Sequence, residues 1–189
     1  ERTGQDAGQY FNAHHVDLIF AHAGTYVTSA SILPVHRVCT VPAVILNLQP
    51  TAQINYVQTT TGEWLAHCNS CPVPEIANAF ERSGITYRVI NGLLGLTRTP
   101  DISLTDEVTC HRPEAIRAWK EIGEWVLAAK IKQNLQGARF GFLGNTYSGM
   151  LDMYSDYTMF QAATGAHVQI LEMCDLDRHL SLVSDSEMI

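Results

Sequence analysis

The stretch ARFGFLGNTYSGMLDMYSD, residues 138–156, decides the fold class, because an apolar run, a turn and a new periodic segment follow one another there. Residues 138–143 have the length and apolar character of a buried strand, and the chain from Met150 onward has a helical pattern. Ligands of open α/β sheets bind at such strand ends. The stretch therefore predicts a strand–turn–helix unit with a candidate site, although spacing alone favours an ordinary turn relieved by two glycines.

Outward from this stretch, strand-like and helix-like segments alternate. This pattern is typical of an α/β protein with a mainly parallel sheet, here a Rossmann-like three-layer domain followed by the start of a second α/β domain. We predict the first domain over residues 1–135 and the second over residues 136–189. The predicted strands are residues 16–21, 43–48, 86–90, 138–143 and 167–171, and the predicted helices are residues 29–38, 74–82, 113 onward and 150–164.

Two further regions complete this interpretation. Residues 92–112 lack a clear period and are expected to be a mobile loop or insertion. The helix from Pro113 is expected to close the first domain. One of its faces carries apolar side chains at three- and four-residue steps, namely Ile116, Trp119, Ile122, Val126 and Ala129.

Composition excludes several classes of protein. The chain has 189 residues, a net charge of -7 and only twelve scattered basic residues, so we expect no nucleic-acid partner. No apolar run approaches the roughly 20 residues that cross a bilayer, and we expect no membrane partner. The first residues lack an initiating Met and resemble no secretory signal, which suggests a chain that begins mid-protein. Five cysteines without framework spacing favour a reducing compartment, so we expect a cytoplasmic protein.

Two long motifs carry a resemblance to a known family. Residues 144–158 fit the segment GxxYxGMLDMYSDxT, and upstream the runs LNLQPTA, TTGEWLA and CPVPEIAN occupy residues 46–52, 60–66 and 71–78. In this order the runs resemble the L-fucose and L-arabinose isomerase superfamily, in particular its fucose-isomerase-like members. The resemblance extends from about Val16 to Leu176 and is weakest over residues 96–112.

The resemblance implies a metal-dependent aldose–ketose isomerase that acts on L-fucose, L-arabinose or a related sugar through an ene-diol, with Mn²⁺ as cofactor. Family members are longer, and their catalytic carboxylates and metal ligands would follow Ile189. We therefore assign no catalytic or metal-binding residue to this chain and expect it to be inactive alone. The resemblance also implies a homo-oligomer, a trimer or hexamer, whose monosaccharide sites lie between subunits.

The same resemblance indicates two groups of substrate-binding residues. The first is the loop with His67, Cys68, Asn69 and Cys71, where arabinose isomerases place a His and a Gln near the sugar. When this chain is aligned with the arabinose isomerases through Glu75, the family's His falls on Cys71 and its Gln falls on Cys68. Either His67 replaces the missing imidazole, or this subgroup contacts the sugar differently.

The second group is Tyr147, Met150 and Asp152, which are expected to line a cleft at the end of the strand over residues 138–143. Met150 aligns with a Met that flanks the sugar in arabinose isomerases, and its soft side chain suits the apolar face of a sugar. Asp152 would accept hydrogen bonds from sugar hydroxyls. The simpler alternative is that Met150 belongs to the core and Asp152 caps its helix.

The pair Cys68 and Cys71 allows three interpretations: a redox dithiol, half of a zinc site with His67 as a possible third ligand, or two thiols that line a turn. Local sequence favours the last of these.

Two carboxylates, Glu172 and Asp175, follow the last predicted strand. They could face a cleft, but such residues more often cap a helix or are solvated.

A function of another class also fits the alternation of strands and helices. The chain could be a non-catalytic sugar-binding or regulatory module of flavodoxin-like or periplasmic-binding-protein-like fold. The absence of matching catalytic carboxylates favours this alternative for a complete gene product, whereas the two motifs favour the isomerase for a partial one.

Overall fold

The computed structural model of the chain describes residues 2–98, 108–143, 149 and 155–187. The strands are β1 (Ile19–His22), β2 (Ala43–Gln49), β3 (Tyr87–Leu93), β4 (Arg139–Leu143) and β5 (His167–Leu171). The helices are α1 (Arg2–Ala13), α2 (Ser29–Val38), α3 (Thr61–Ala66), α4 (Pro72–Arg82), α5 (Pro113–Leu135), α6 (Tyr157–Thr164) and α7 (Met173–Leu180), with short 3₁₀ turns at Cys68–Ser70 and Asp185–Glu187. Two compact units, Glu1–Ala129 and Lys130–Ile189, divide the chain within α5.

The first unit is built on a parallel sheet in the order β1-β2-β3. Its register pairs Ile19 with Ala43 and Ala43 with Tyr87, so the carboxyl ends of the three strands meet at one edge. The central strand β2 reads AVILNLQ, and most of its apolar side chains are buried, as a strand covered on both faces requires. The parallel α/β fold predicted from the sequence is confirmed.

Helices cover both faces of this sheet. On one face, Ile45 of β2 packs with Ile76 and Phe80 of α4, and residues of α2 join the same cluster. On the other face, Val44 of β2 packs with Ala118 of α5. The first unit therefore has the three layers of a Rossmann-like domain.

The face of helix α5 that contacts the sheet only partly coincides with the large apolar face noted in its sequence, since Ile122 of that face packs on the core together with Trp125. Ala115 and Ala118 are buried, whereas Ile116, Trp119 and Val126 are about half exposed. The physical reason is a close approach to β3, because a Cβ atom added to Gly92 would lie 2.6 Å from the carbonyl oxygen of Glu114. Only small side chains fit between the helix and the strand at that distance, so Ala115 and Ala118 occupy the part of the helix that lies opposite Gly92.

The second unit contains the parallel pair β4-β5, joined by α6. Phe140 of β4 packs edge-on against Phe160 of α6, with ring centroids 5.6 Å apart. The expectation that this strand is buried is wrong for the described residues, since Phe140 is 42% exposed and Leu143 is 46% exposed. In the described part of this unit, a two-stranded sheet has too few neighbours to bury both of its faces.

The start of α6 also differs from the expectation. The predicted helix began at Met150, and residues 150–154 lie outside the described part of the chain. Ser155 and Asp156 are not helical, and the Asp156 carboxylate accepts a hydrogen bond from the Met159 backbone N–H at 2.9 Å. Asp156 is thus the N-cap of a helix that begins at Tyr157. At the other end, Gly165 has a φ of 73°, the left-handed conformation of a helix C-cap.

Several other bounds agree closely with the sequence interpretation, but β3 runs to Leu93 instead of residue 90, so the stretch 92–112 that was expected to be a loop begins inside this strand, and its residues 99–107 lie outside the described part of the chain. The helix over residues 29–38 and the strand over residues 167–171 have the predicted ends, and β4 begins one residue later than predicted. The first strand begins at Ile19 instead of residue 16, because the Val16 backbone N–H still closes the end of α1 by bonding to the Phe11 carbonyl. None of the helices in the described ranges has both the length and the apolar character that a membrane crossing needs.

Candidate functional site

The candidate site of the first unit is the segment between β2 and α4, at the carboxyl edge of the sheet. After β2 the chain runs through an irregular stretch to Thr60, whose hydroxyl accepts a hydrogen bond from the Glu63 backbone N–H at 3.2 Å and caps α3. The short helix α3 is followed directly by the 3₁₀ turn and by α4. A loop in this position brings polar side chains to the edge where open α/β sheets bind their ligands.

His67 ends α3 and is held on both sides of its ring. Its Nδ1 lies 2.8 Å from the Glu63 carbonyl oxygen, and its Nε2 lies 2.6 Å from the Thr51 hydroxyl. Because a carbonyl oxygen only accepts, Nδ1 donates to Glu63, and the Thr51 hydroxyl, which also lies 3.0 Å from the Gln53 carbonyl oxygen, is the partner of Nε2. With 7% exposure, His67 joins α3 to the segment after β2 and holds the loop in place.

The structure places the other predicted residues of this loop in two environments. Asn69 is 1% exposed, and its amide donates to the Leu48 carbonyl at 2.7 Å, which anchors the 3₁₀ turn on β2. Cys68 is buried beside it, whereas Cys71, immediately before α4, is exposed. A side-chain hydrogen bond with Cys71, together with burial, raises the pKa of the Cys68 thiol.

A surface pocket of about 280 Å³ lies in the same segment. Its walls carry two aromatic rings, Tyr56 and Trp64, and the side chains of three consecutive threonines, Thr59, Thr60 and Thr61. Both rings present area to solvent, with exposures of 82% for Tyr56 and 48% for Trp64. Aromatic faces flanked by hydroxyl groups suit a ligand with an apolar face and polar edges.

The predicted residues of the second unit, Tyr147, Met150 and Asp152, lie outside the described residues. At the carboxyl ends of β4 and β5, where these residues were expected, a cavity of about 380 Å³ is lined by Leu143, Gln169, Leu171, Asp175, Leu176 and His179. Asp175 also accepts a hydrogen bond from the Glu172 backbone N–H at 3.0 Å, within a capping box at the start of α7. The capping interpretation of Glu172 and Asp175 is therefore confirmed, and Asp175 lines the cavity as well.

Metal ligation has no support in this part of the chain. Within residues 2–98, 108–143, 149 and 155–187, no group of three or more His, Cys, Asp or Glu side chains is placed to hold an ion. The described residues therefore do not fit a Mn²⁺ centre, and in these ranges Cys68 and Cys71 lack the further ligands that a zinc site needs.

A larger concavity of about 460 Å³ runs along α5, away from the strand ends, and is lined mainly by exposed charged side chains.

Sequence reasoning missed two features near the site and one at the opposite edge of the sheet. Tyr56 lies in a polar stretch without helical or strand periodicity. It is recognised as a site residue only because it lines the same pocket as Trp64 in the folded chain. Glu75 accepts hydrogen bonds from the backbone and hydroxyl of Ser29, which no sequence pattern indicates. His36, at the opposite edge of the sheet, is 4% exposed, and burial lowers its pKa.

Comparison with known proteins adds no family assignment. Neither the protein-family models nor the curated proteins include one that matches this chain.

Proposed function

We propose that this chain is the sugar-binding portion of a metal-dependent aldose–ketose isomerase of the fucose-isomerase-like type, whose catalytic carboxylates and Mn²⁺ lie outside it. The substrate would be L-fucose, L-arabinose or a related monosaccharide. The observation that carries the proposal is the pocket of Tyr56, Trp64 and the three threonines, because it lies within the segment that bears one of the two family motifs.

The chemistry of the pocket supports a monosaccharide ligand. One face of a sugar ring presents C–H groups, which pack against an aromatic ring, while its edge presents hydroxyl groups. The Thr59 hydroxyl donates to the Asn55 carbonyl at 2.6 Å and can still accept from a sugar hydroxyl. The Thr60 hydroxyl accepts from the Glu63 backbone N–H and can still donate to a sugar hydroxyl. The anchored loop of His67 and Asn69 keeps the adjacent backbone in place, so that little ordering is needed when a ligand binds.

The location and partners of the protein are part of the same proposal. All five cysteines are free thiols, which supports a reducing, cytoplasmic compartment. Apolar side chains of the second unit are exposed, among them Met173, Leu176, Leu180 and Leu182. Exposed apolar groups close together are typical of surfaces that bind more protein, which supports a homo-oligomer.

A binding experiment tests the proposal. L-Fucose, L-arabinose and D-arabinose are titrated into the purified chain while NMR follows saturation transfer to each sugar. Transfer to at least one sugar is expected, and Trp64→Ala should weaken that binding by about 1 kcal/mol, roughly fivefold in Kd. Tyr10→Ala, which removes an exposed ring from α1, is the control and should leave binding unchanged.

Two results would contradict the proposal: no transfer to any of the three sugars, or equal weakening by Trp64→Ala and Tyr10→Ala. The same pocket also supports the alternative of a non-catalytic sugar-binding or regulatory module. The two functions differ in whether the native polypeptide carries catalytic carboxylates beyond residue 189. The reading frame on both sides of these residues, or the intact mass of the native protein, distinguishes them.

A further inference from the structure

The two cysteines of the site share one tight turn. Cys68 opens the 3₁₀ turn, and the backbone N–H of Cys71 donates to the Cys68 carbonyl oxygen at 3.1 Å. This bond closes the chain over the two residues between the cysteines and keeps their side chains within reach of each other. The effect of the Cys71 thiol on the pKa of Cys68 has the same origin.

The two thiols differ in access to solvent. Cys71 is exposed, whereas Cys68 is 4% exposed. A dissolved reagent therefore reaches Cys71 first, and Cys68 lies beside any product formed there. One accessible thiol with a shielded neighbour is the arrangement in which an intermolecular adduct is resolved within the protein.

We propose that Cys68 and Cys71 form a reversible disulfide by exchange with a low-molecular-weight disulfide, which makes this turn a redox modification site. The inference goes beyond sugar binding and does not depend on it. In the first step the Cys71 thiolate attacks one sulfur of the small disulfide, the small S–S bond breaks, and one small thiolate leaves.

In the second step the Cys68 thiol loses its proton and attacks the Cys71 sulfur. The bond between the two protein sulfurs forms, the mixed disulfide breaks, and the second small thiolate leaves. The two protein thiols lose two electrons in all, the small disulfide gains them, and the two protons end on the two released small thiols. The reverse exchange with excess small thiol restores both cysteines.

Two of the other three cysteines serve as internal controls. Cys174 is exposed, and Cys39 is fully buried. Cys174 should therefore collect a stable mixed disulfide with the reagent, because no cysteine is described beside it, and Cys39 should stay reduced while the protein is folded.

The experiment treats the reduced, folded chain with oxidised glutathione and then quenches it with acid. Free thiols are alkylated, and the peptides are identified by mass spectrometry. The expected result is joint loss of alkylation at Cys68 and Cys71 in a peptide about two mass units lighter, with a glutathione adduct at Cys174. Dithiothreitol should restore both thiols.

Variants test the order of the steps. Cys68→Ser should trap glutathione on Cys71, and Cys71→Ser should leave Cys68 alkylatable. The wild-type measurement needs no variant to fold, and it overturns the proposal in either of two outcomes. One is a stable glutathione adduct on Cys71 in the wild-type chain, and the other is reduced Cys68 and Cys71 in a sample where Cys174 has reacted.

Discussion

The carboxylate of Glu75 accepts a hydrogen bond from the backbone N–H of Ser29 at 2.9 Å, and its other oxygen accepts from the Ser29 hydroxyl. Ser29 is the first residue of α2, where backbone N–H groups have no partner within the helix. Thr28, the N-cap of α2, makes no side-chain capping bond, so Glu75 of α4 caps α2 from outside. This one side chain links the start of α2 to the helix that follows the site loop.

Glu75→Ala is therefore expected to lower the free energy of unfolding by about 1 kcal/mol, the usual cost of losing a helix cap. Glu81→Ala on the same helix is the control, because among the described residues the Glu81 side chain makes no hydrogen bond or ion pair. Urea unfolding of both variants measures the difference. Equal stabilities would show that the cap contributes nothing in solution.

The contact between Thr51 and His67 gives a second prediction. Thr51→Val keeps the shape of the side chain but removes the hydroxyl, so the buried Nε2 of His67 loses its partner. Leaving a buried polar atom unpaired costs about 1–3 kcal/mol. Thr40→Val, at an exposed position, should change the stability by less than about 0.5 kcal/mol. A Thr51→Val variant that unfolds in urea at the same free energy as the wild-type chain would contradict this prediction.

Two glycine substitutions should change stability in opposite directions. Gly92→Ala places a methyl group 2.6 Å from the Glu114 carbonyl oxygen and 2.8 Å from the Ala118 Cβ, and such overpacking costs about 1–3 kcal/mol. Gly123→Ala, inside α5 with open space around it, should stabilise the chain by up to about 1 kcal/mol through helix propensity. Thermal unfolding should therefore show a lower Tm for the first variant and a higher Tm for the second. The reverse order would contradict the packing of α5 on β3.

The buried ring of His36 predicts a dependence of stability on pH. Burial lowers the pKa of His36 in the folded state below its ordinary value of 6.5, so the unfolded chain binds the proton more readily. This contribution to stability is complete above about pH 6.5 and is lost as the pH falls towards the lowered folded pKa.

Removing the imidazole tests this dependence. His36→Met should flatten the decline of unfolding free energy below pH 6.5 by up to about 1.4 kcal/mol per pH unit. His22→Met, at an exposed position, should keep the decline of the wild type. Denaturant titrations between pH 4.5 and 7.5 measure the free energy of unfolding of the wild type and both variants. If this free energy declines with falling pH equally in all three chains, His36 is not the cause of the decline.

The sequence predicts an element best where the same residues suit both the local backbone conformation and the packing of the folded chain. In β2 the run AVIL, residues 43–46, is apolar at successive positions, as in a strand covered on both faces, and such a strand is found there. Gly165 stops α6 because a left-handed residue is needed at that point. These signals lie within a few residues of the feature they determine.

Prediction fails where a distant element sets the requirement. Opposite Gly92, α5 presents Ala115 and Ala118, and a search for large apolar side chains selects a face that shares Ile122 with the contact face but misses these alanines. His67 was a candidate ligand residue from its motif, but its partner Thr51 is sixteen positions away, and their contact depends on the fold. Tyr56 likewise gains meaning only from the position of Trp64 in the folded loop.

The two ends of α6 have a consequence for how the second unit can change. Asp156 fixes where the helix starts, Gly165 fixes where it stops, and the Gly137 backbone N–H donates to the Gly165 carbonyl at 3.0 Å just before β4 and β5 pair. Apart from Tyr157 and Phe160, whose rings contact Phe142 and Phe140 of β4, side chains of the helix can vary with little effect on the strands. The number of residues cannot, since one extra residue would shift β5 by one position and turn its inward side chains outward. The helical connection to β5 therefore tolerates most substitutions better than it tolerates an insertion or a deletion.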